Sequence, residues 1–343
     1  MTASFGIPLS VLDVAPVSEG GTAGDALRNS LDLAPRVERY GFTRYWVAEH
    51  HNMPGIASSA PAVLLAHIAS VTSTIRVGSG GVMLPNHSSL VIAEQFGMLE
   101  ALHPGRVDLG LGRAPGTDQL TARALRRNRG SAHADDFPEQ LVELFGYFNG
   151  KWPDGHPYAA ISATPGIGDR PAIWMLGSSD YGAQVAGALG LPYSFAHHFA
   201  GGNTMAAARV YRESFRANAE MARSYLMLGV SVVCGETDEH ARWLASPGAL
   251  SFVRLRGGRP GRFPSPEEAA AHQYSPSERA LLDSRVGSQI VGSPATVRAG
   301  LAELAERTGA DEIMITTMTY AHADRVRSYE LIAEAAGLTP RVG

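Results

Sequence analysis

The sequence has little cysteine, little net charge and no long apolar run. Cys234 is the only cysteine among its 343 residues, so no disulfide can form within the chain, and we expect a reducing compartment. The net charge of -4 gives no electrostatic reason to expect nucleic acid or an anionic membrane as a partner. No stretch approaches the roughly 20 apolar residues that a membrane-spanning helix needs, and no basic segment marks a signal peptide. These absences predict a soluble, cytoplasmic protein.

The overall composition is that of a globular protein with a large core. Hydrophobic residues make up 45% of the chain and charged residues 18%, which is ordinary for a soluble fold. Because α/β barrels of about 250 residues or more commonly form one domain, we predict a single domain over residues 1–343.

Short apolar runs rich in branched side chains alternate with segments of helical period along the whole chain. Runs of this kind are typical of strands buried on both faces of a parallel sheet. The predicted strands are Ile7–Leu12, Tyr45–Ala48, Ile75–Leu84, Val107–Leu111, Ala172–Leu176, Pro192–Ala196, Met227–Cys234 and Glu312–Thr317.

Apolar stripes at helical spacing predict helices between these strands. Such stripes run through Ser89–Leu102 and Asp136–Phe148. Ser293-Pro294 predicts a helix start, with a capping side chain and a proline in the first turn. In the first helix, around Gly24–Tyr40, Pro35 predicts a kink.

Eight βα units in series predict an α/β protein with a single (β/α)8 TIM barrel. A doubly wound open sheet has the same periodicity and remains an alternative. Two segments exceed the repeat, about 118–133 after the fourth strand and about 237–289 after the seventh. We interpret both as insertion loops at the active face. The first segment contains four arginines, Arg123, Arg126, Arg127 and Arg129. They could belong to a mobile lid over an anionic ligand, and the alternative is a solvated surface.

In a barrel, functional residues lie at the carboxyl ends of the strands, and Glu49-His50-His51-Asn52 follows the second strand. Histidines beside a carboxylate can transfer protons near neutral pH. The alternative is a pair of hydrogen-bonded loop histidines. Adjacent side chains of an extended segment point to opposite sides, which disfavours a shared metal ion. We therefore predict no metal site here.

Gly78-Ser79-Gly80-Gly81 lies inside the third strand. Glycine weakens a strand interior, so this density predicts a bulge or the close approach of a flat ligand. A non-proline cis peptide bond is also conceivable here. Tight packing inside the barrel is the alternative.

The segment Gly110–Gly116 follows the fourth strand and contains Arg113. Its spacing, G-x-G-x-x-x-G interrupted by Pro115, excludes the dinucleotide-binding fingerprint. We predict a tight loop that presents Arg113 to an anion, since a guanidinium binds phosphate through two parallel hydrogen bonds. The alternative role of Arg113 is a surface salt bridge.

The segment Gly177-Ser178-Ser179-Asp180-Tyr181-Gly182 follows the fifth strand and precedes a helix. Hydroxyl groups and free N–H groups at a helix N-terminus form an anion site. Alternatively, Ser179 or Asp180 merely caps the helix. Because the fourth and fifth strands are neighbours, this turn and Arg113 could bind one phosphate together. His197-His198-Phe199, after the sixth strand, could border the same site or have a structural role.

Three motifs carry a resemblance to a known family. They are Arg44–Gly55 (RYWVAEHHNMPG), Ile75–His87 (IRVGSGGVMLPNH) and Pro104–Gly116 (PGRVDLGLGRAPG). Together they resemble the bacterial luciferase-like, flavin-dependent monooxygenases, and the resemblance spans essentially the whole chain. The chain is most similar to the branch without light emission, which includes tailoring oxygenases of aromatic polyketide (antibiotic) pathways.

This resemblance implies the barrel fold and a two-component reaction. Reduced FMN (FMNH2) would come from a separate NAD(P)H-dependent reductase and react with O2. The resulting flavin C4a-hydroperoxide would oxygenate a small organic substrate, and the protein would be a homodimer. Gly112 stands where the light-emitting luciferase subunit has a reactive cysteine, so we expect no light emission.

The resemblance also implies roles for individual residues. His50 matches the essential histidine and His51 its neighbour, and we expect Glu49 to orient His50. Gly80 and Gly81 would lie under the isoalloxazine ring. The positions that match phosphate-binding residues are Arg113, Ser178 and Ser179, with backbone groups of Tyr181 and Gly182.

Several functions remain open at this point. The same barrel could use a deazaflavin, or could be a catalytically silent flavin-binding relative, and a metal-dependent barrel hydrolase is a more remote alternative. The organic substrate, and the choice among hydroxylation, epoxidation and Baeyer–Villiger insertion, also remain open.

Overall fold

The computed structural model describes residues 5–126, 136–283 and 287–341. Arg127 and Arg129 of the first predicted insertion lie outside these residues. The strands are β1 Leu9–Asp13, β2 Arg44–Val47, β3 Arg76–Met83, β4 Val107–Gly112, β5 Ala172–Gly177, β6 Tyr193–Phe195, β7 Leu226–Cys234, β8 Gln289–Gly292 and β9 Glu312–Thr316.

Eight of these strands close into a ring, in the order β1-β2-β3-β4-β5-β6-β7-β9. Every pairing is parallel, and the β6–β7 pairing closes the sheet into the ring. The (β/α)8 TIM barrel is confirmed, and the open-sheet alternative is wrong. All eight predicted strands are members of the ring.

The strand β8 was not predicted. It pairs with the second half of β7, whereas β6 pairs with the first three residues of β7. Ser231 has Gln289 of β8 on one side and Thr316 of β9 on the other. The long strand β7 therefore has room for β6 and β8, one after the other, along the same edge.

The helices surround the ring. They are α1 Ala23–Arg39, α2 Pro61–Ser70, α3 Ser89–Leu102, α4 Gln119–Leu125, α5 Phe137–Asn149, α6 Asp180–Leu189, α7 His197–Ala200, α8 Thr204–Ser214, α9 Asp238–Arg256, α10 Pro266–Ala271, α11 Pro276–Asp283, α12 Pro294–Thr308 and α13 His322–Ala336. No helix in the described part of the chain is both long and apolar enough to cross a lipid bilayer.

Several helix predictions agree with this structure. α3 has its predicted bounds, α5 begins at Phe137, and α12 begins at Pro294. Ser293 occupies the N-cap position of α12, but the predicted capping by its side chain is wrong, because that side chain makes no capping hydrogen bond. α1 continues through Pro35 as one helix. By contrast, the interpretation of two segments as insertion loops is not confirmed: the second consists largely of α9, α10 and α11, and the first contains α4.

Paired charges fill the amino-terminal end of the barrel. Arg44 lies 2.8 Å from Asp108 and 3.0 Å from Glu312, and Arg76 lies 2.6 Å from Asp108. The indole N–H of Trp46 donates to Asp108 over 3.0 Å. Both carboxylates are fully buried, and such groups are tolerated only when paired. This network therefore stabilises the barrel near the amino-terminal ends of its strands.

We predict that Gly110→Ala destabilises the barrel. A Cβ at Gly110 would lie 2.1 Å from the carbonyl oxygen of Ser79, a backbone atom that cannot move aside cheaply. Overpacking of this kind lowers the free energy of unfolding by about 1–3 kcal/mol. Urea denaturation would measure it, with Gly202→Ala as the control because no heavy atom lies within 4 Å of its added Cβ. Equal unfolding free energies for the two variants would contradict this packing.

Candidate active site at the carboxyl end of the barrel

A cavity of about 550 Å³ opens among the carboxyl ends of the barrel strands. This is the end at which barrel enzymes have their active sites, and the size suits a small-molecule ligand. Of the predicted site residues, Glu49 and His51 do not line this cavity. Those that do are His50, Gly80, Gly81, Arg113, Ser178, Ser179, Tyr181 and Gly182.

The glycine-rich part of β3 forms one wall. The Gly80-Gly81 peptide bond is cis, and the pairing register between β3 and β4 shifts between Gly80 and Val82. The predicted irregularity and the cis bond are thus both confirmed. A Cβ on Gly81 would lie 2.8 Å from the carbonyl oxygen of Gly110, a backbone atom, so a larger residue does not fit there without a backbone shift. The wall here consists of backbone, which a flat ligand can approach closely.

Arg113 extends from the loop after β4. Its guanidinium carbon lies 4.0 Å from the ring centroid of Tyr181, in the first turn of α6, at a distance typical of a cation–π contact. No helix begins after β4 until Gln119, consistent with exclusion of the dinucleotide fingerprint. The contact brings the loop after β4 and the start of α6 together, as the sequence predicted.

The turn before α6 has free hydrogen-bonding capacity. Ser179 occupies the capping position with extended backbone (φ −143°, ψ 170°), yet its side chain makes no capping hydrogen bond. Ser179 therefore does not merely cap α6, and both Ser178 and Ser179 are exposed at the cavity. A guanidinium, two hydroxyls and a helix N-terminus form a donor set that fits a phosphate group.

The segment after β2 directs consecutive side chains to opposite sides. The ring of His50 lines the cavity, and its buried Nδ1 has no hydrogen-bond partner within the described residues. His51 points away, with its Nε2 2.9 Å from Glu49 Oε1. The adjacent histidines thus have different surroundings, as expected, and only His50 faces the cavity.

Glu49 is fully buried and connects its own loop to the end of β3 and the loop after it, instead of orienting His50. Its Oε1 lies 2.8 Å from His87 Nε2 as well as close to His51, and its Oε2 accepts the Met83 N–H over 3.0 Å. The expectation that Glu49 orients His50 directly is therefore corrected. Any effect of Glu49 on His50 acts through its charge or through the loop.

Burial governs the protonation of this group of residues. It would by itself raise the pKa of Glu49, but hydrogen bonds and charge from His87, a hydrogen bond from His51 and the Met83 N–H lower that pKa on balance. Burial lowers the pKa of His50 below its usual value of 6.5, since the nearby Glu49 charge only partly opposes it and His51 adds to it. At neutral pH the cavity therefore contains a neutral imidazole.

Sequence reasoning missed His87 as a partner of Glu49, although the residue belongs to the second motif. It named the pair His197-His198 without separating their roles. His198 lines the cavity and its Nδ1 lies 2.8 Å from the Gly229 carbonyl, whereas buried His197 lies 2.7 Å from the Thr204 hydroxyl. His197 thus has the structural role.

The helical segment after β7 also contributes to the cavity. Eight residues between Ala245 and Phe263, both included, line it, and the Phe263 N–H donates to the Val17 carbonyl over 2.8 Å. Val17 in turn donates its N–H to Gly55 over 2.9 Å. Backbone hydrogen bonds thus connect three loops into a roof over this side.

We predict that the His50 imidazole titrates below pH 6.5, because burial disfavours its charged form. Histidine-selective NMR spectra recorded against pH would measure this pKa, with His50→Ala identifying the resonance. As the pH falls below 6.5, the unfolded chain binds this proton before the folded chain, so the group then lowers the free energy of unfolding. A His50 pKa at or above 6.5 would contradict the buried geometry.

Comparison with known proteins shows the family to which the chain belongs. A family model described as luciferase-like monooxygenase matches residues 7–312. YvbT of Bacillus subtilis is 52% identical over 95% of this chain and 96% of its own length. A luciferase-like monooxygenase of Escherichia coli K12 is 45% identical over 95% and 96%. The crystal structure of apo-MsnO8 has a TM-score of 0.88 at 38% identity, covering 98% of this chain and 99% of its own.

More distant structures share the fold alone. They include the oxygenating constituent of 3,6-diketocamphane monooxygenase in complex with FMN (18% identity, TM-score 0.71, covering 97% and 98%). An F420-dependent secondary alcohol dehydrogenase is also similar (15%, TM-score 0.66, 96% and 99%). The match of one family model to most of the chain, together with relatives at 45–52% identity over nearly its full length, shows that this chain belongs to the luciferase-like monooxygenase family of oxidoreductases.

Proposed function

We propose that the protein is an FMN-dependent monooxygenase. It would take reduced FMN from a separate NAD(P)H-dependent reductase and use O2 to oxygenate a small organic substrate. The observation that carries this proposal is the donor set formed by Arg113, Ser178, Ser179 and the start of α6 at one end of the cavity.

This donor set suits the phosphate of FMN. Arg113 can donate two parallel hydrogen bonds to phosphate oxygens, and its stacking on Tyr181 restricts the orientation of the guanidinium. Ser178 and Ser179 supply hydroxyl donors, while the N–H groups of Tyr181 and Gly182 lie in the positive first turn of α6. The phosphate end of the ligand would thereby be fixed at β4 and β5.

The remaining flavin surface would lie on the backbone of Gly80 and Gly81, which presents no side chain to the cavity. When bound and reduced, FMN supplies the electrons for oxygen activation. The apolar cavity and the hydrogen-bonded loops on one side of it would limit the access of water to that chemistry.

His50 is the residue that would move protons in the cavity. Its imidazole is neutral at neutral pH and its Nδ1 is unpaired within the described residues, so it can accept a proton or a hydrogen bond from a ligand. Glu49 and His51 would hold the loop that carries His50 rather than contact the ligand.

FMN is preferred to a deazaflavin. The phosphate donors would suit either cofactor, but the family is one of monooxygenases, and a deazaflavin transfers hydride without activating oxygen. Membership of this family also disfavours a catalytically silent relative. A tailoring role in aromatic polyketide (antibiotic) biosynthesis, a cytoplasmic location and a single domain remain parts of the proposal.

The proposal predicts that Arg113→Ala lowers FMN affinity about ten- to a hundredfold, the effect of losing charge-assisted hydrogen bonds. Fluorescence titration would measure it. Riboflavin, which lacks the phosphate, is the matched ligand, and its affinity should change little. Arg242→Ala, which removes an exposed arginine of α9, is the control variant.

Unchanged FMN affinity in Arg113→Ala would overturn the phosphate assignment. Tighter binding of F420 than of FMN by the unaltered protein would favour the deazaflavin alternative.

A homodimer is the second part of the proposal that can be tested directly. α2 and α3 expose Val63 (62%), Met98 (53%) and Leu102 (67%), an apolar surface that a second copy of the chain would cover. We predict that Met98→Glu with Leu102→Glu yields monomers at micromolar concentration in sedimentation velocity, while Leu189→Glu on α6 does not. A monomeric unaltered protein would contradict the proposal.

A further inference from the structure

The cavity wall opposite the phosphate donors is formed by a different set of strands. In the eight-strand ring, β9 lies across from β4, and β1 lies across from β5. The wall facing Arg113 therefore comes from β1 and β9, together with β7, which pairs with β9, and β8, which pairs with β7. If FMN is anchored at β4 and β5 as proposed, this opposite wall is the surface left for the organic substrate.

This wall has no charged side chain within the described residues. Among the described residues that line the cavity, Arg113 is the only Asp, Glu, Lys or Arg, and it belongs to the phosphate end. A carboxylate or ammonium group placed against the opposite wall would lose its hydration without gaining an ionic partner. The wall thus disfavours charged substrates.

Three uncharged polar side chains form one row across this wall. Ser231 of β7 is the register partner of Gln289 of β8 and of Thr316 of β9. All three line the cavity, and Gln289 Nε2 donates to Ser231 Oγ over 3.4 Å. We call Gln289, Ser231 and Thr316 the polar row.

The polar row retains hydrogen-bonding capacity in apolar surroundings. Within the described part of the chain, the Thr316 hydroxyl has no hydrogen-bond partner, and the Gln289 amide keeps a second N–H and its carbonyl. The apolar residues around the row include Val233, Val291, Met314 and Met318. Such polar groups in an otherwise apolar pocket fix the orientation of a ligand.

Resting on the proposed FMN site, we infer that the polar row binds a neutral oxygen group, a carbonyl or hydroxyl, of an otherwise apolar substrate. Gln289 and Thr316 donate to that oxygen, while the surrounding methionine and valine side chains contact the hydrocarbon. A site that hydrogen-bonds one substrate group rejects the analogue without it, because its own polar groups then stay unpaired.

Three probes of similar size test this inference on the FMN-saturated protein. Acetophenone carries a neutral carbonyl, ethylbenzene carries no oxygen and benzoate carries a charge. Ligand-detected NMR titration would measure their affinities. We expect acetophenone to bind about three- to tenfold more tightly than ethylbenzene, the effect of one or two hydrogen bonds, and benzoate to bind more weakly than either.

Variants of the polar row assign the preference to its residues. Gln289→Leu should lower acetophenone affinity about three- to tenfold and leave ethylbenzene affinity within about twofold. Thr316→Val, which keeps the side-chain volume, should act in the same direction. Gln184→Leu, on the exposed surface of α6, is the matched control. Unchanged FMN affinity would show that each variant is folded.

The outcomes separate this inference from the proposed function. If the protein binds no FMN, the proposed function fails and the inference fails with it. If FMN binds but acetophenone shows no preference over benzoate and ethylbenzene, including no binding of any probe, only the inference is overturned. A preference that survives both Gln289→Leu and Thr316→Val would likewise overturn the role of the polar row.

Discussion

The closure of eight parallel strands into a ring is the constraint on which the rest of this structure depends. Parallel pairing places all carboxyl ends at one end of the barrel, so loops distant in sequence must meet there. Arg113 and Tyr181 are in contact because β4 and β5 are neighbours in the ring. Near the opposite end, Arg44 forms ion pairs with Asp108 and Glu312.

Buried charge then organises the loops at the open end. The Glu49 carboxylate has lost its water and is stabilised by groups from two neighbouring loops, His87 and the Met83 N–H on one and His51 on its own. Removing any one of these would leave a buried charge less well compensated. His50, next in the chain, is thereby held facing the cavity, and its burial keeps the imidazole neutral.

Charge also divides the cavity into two functional ends. Arg113 and the start of α6 provide the positive end that suits a phosphate, while the wall from β7, β8 and β9 carries only uncharged groups among the described residues. A ligand with an anionic tail and a neutral partner molecule would each find a complementary surface.

The sequence by itself determined the repeat, the eight ring strands and the motifs at their carboxyl ends, because these depend on local period and on residues adjacent in the chain. It also indicated the irregularity at Gly80-Gly81, since glycines within a strand are a local signal. Only the tertiary structure decided that Glu49 contacts His87 instead of orienting His50, that β8 joins β7, and that Gln289, Ser231 and Thr316 form one row. The reason is physical: side-chain partners and strand register depend on how segments far apart in sequence are brought together by ring closure, and no local pattern encodes that distance.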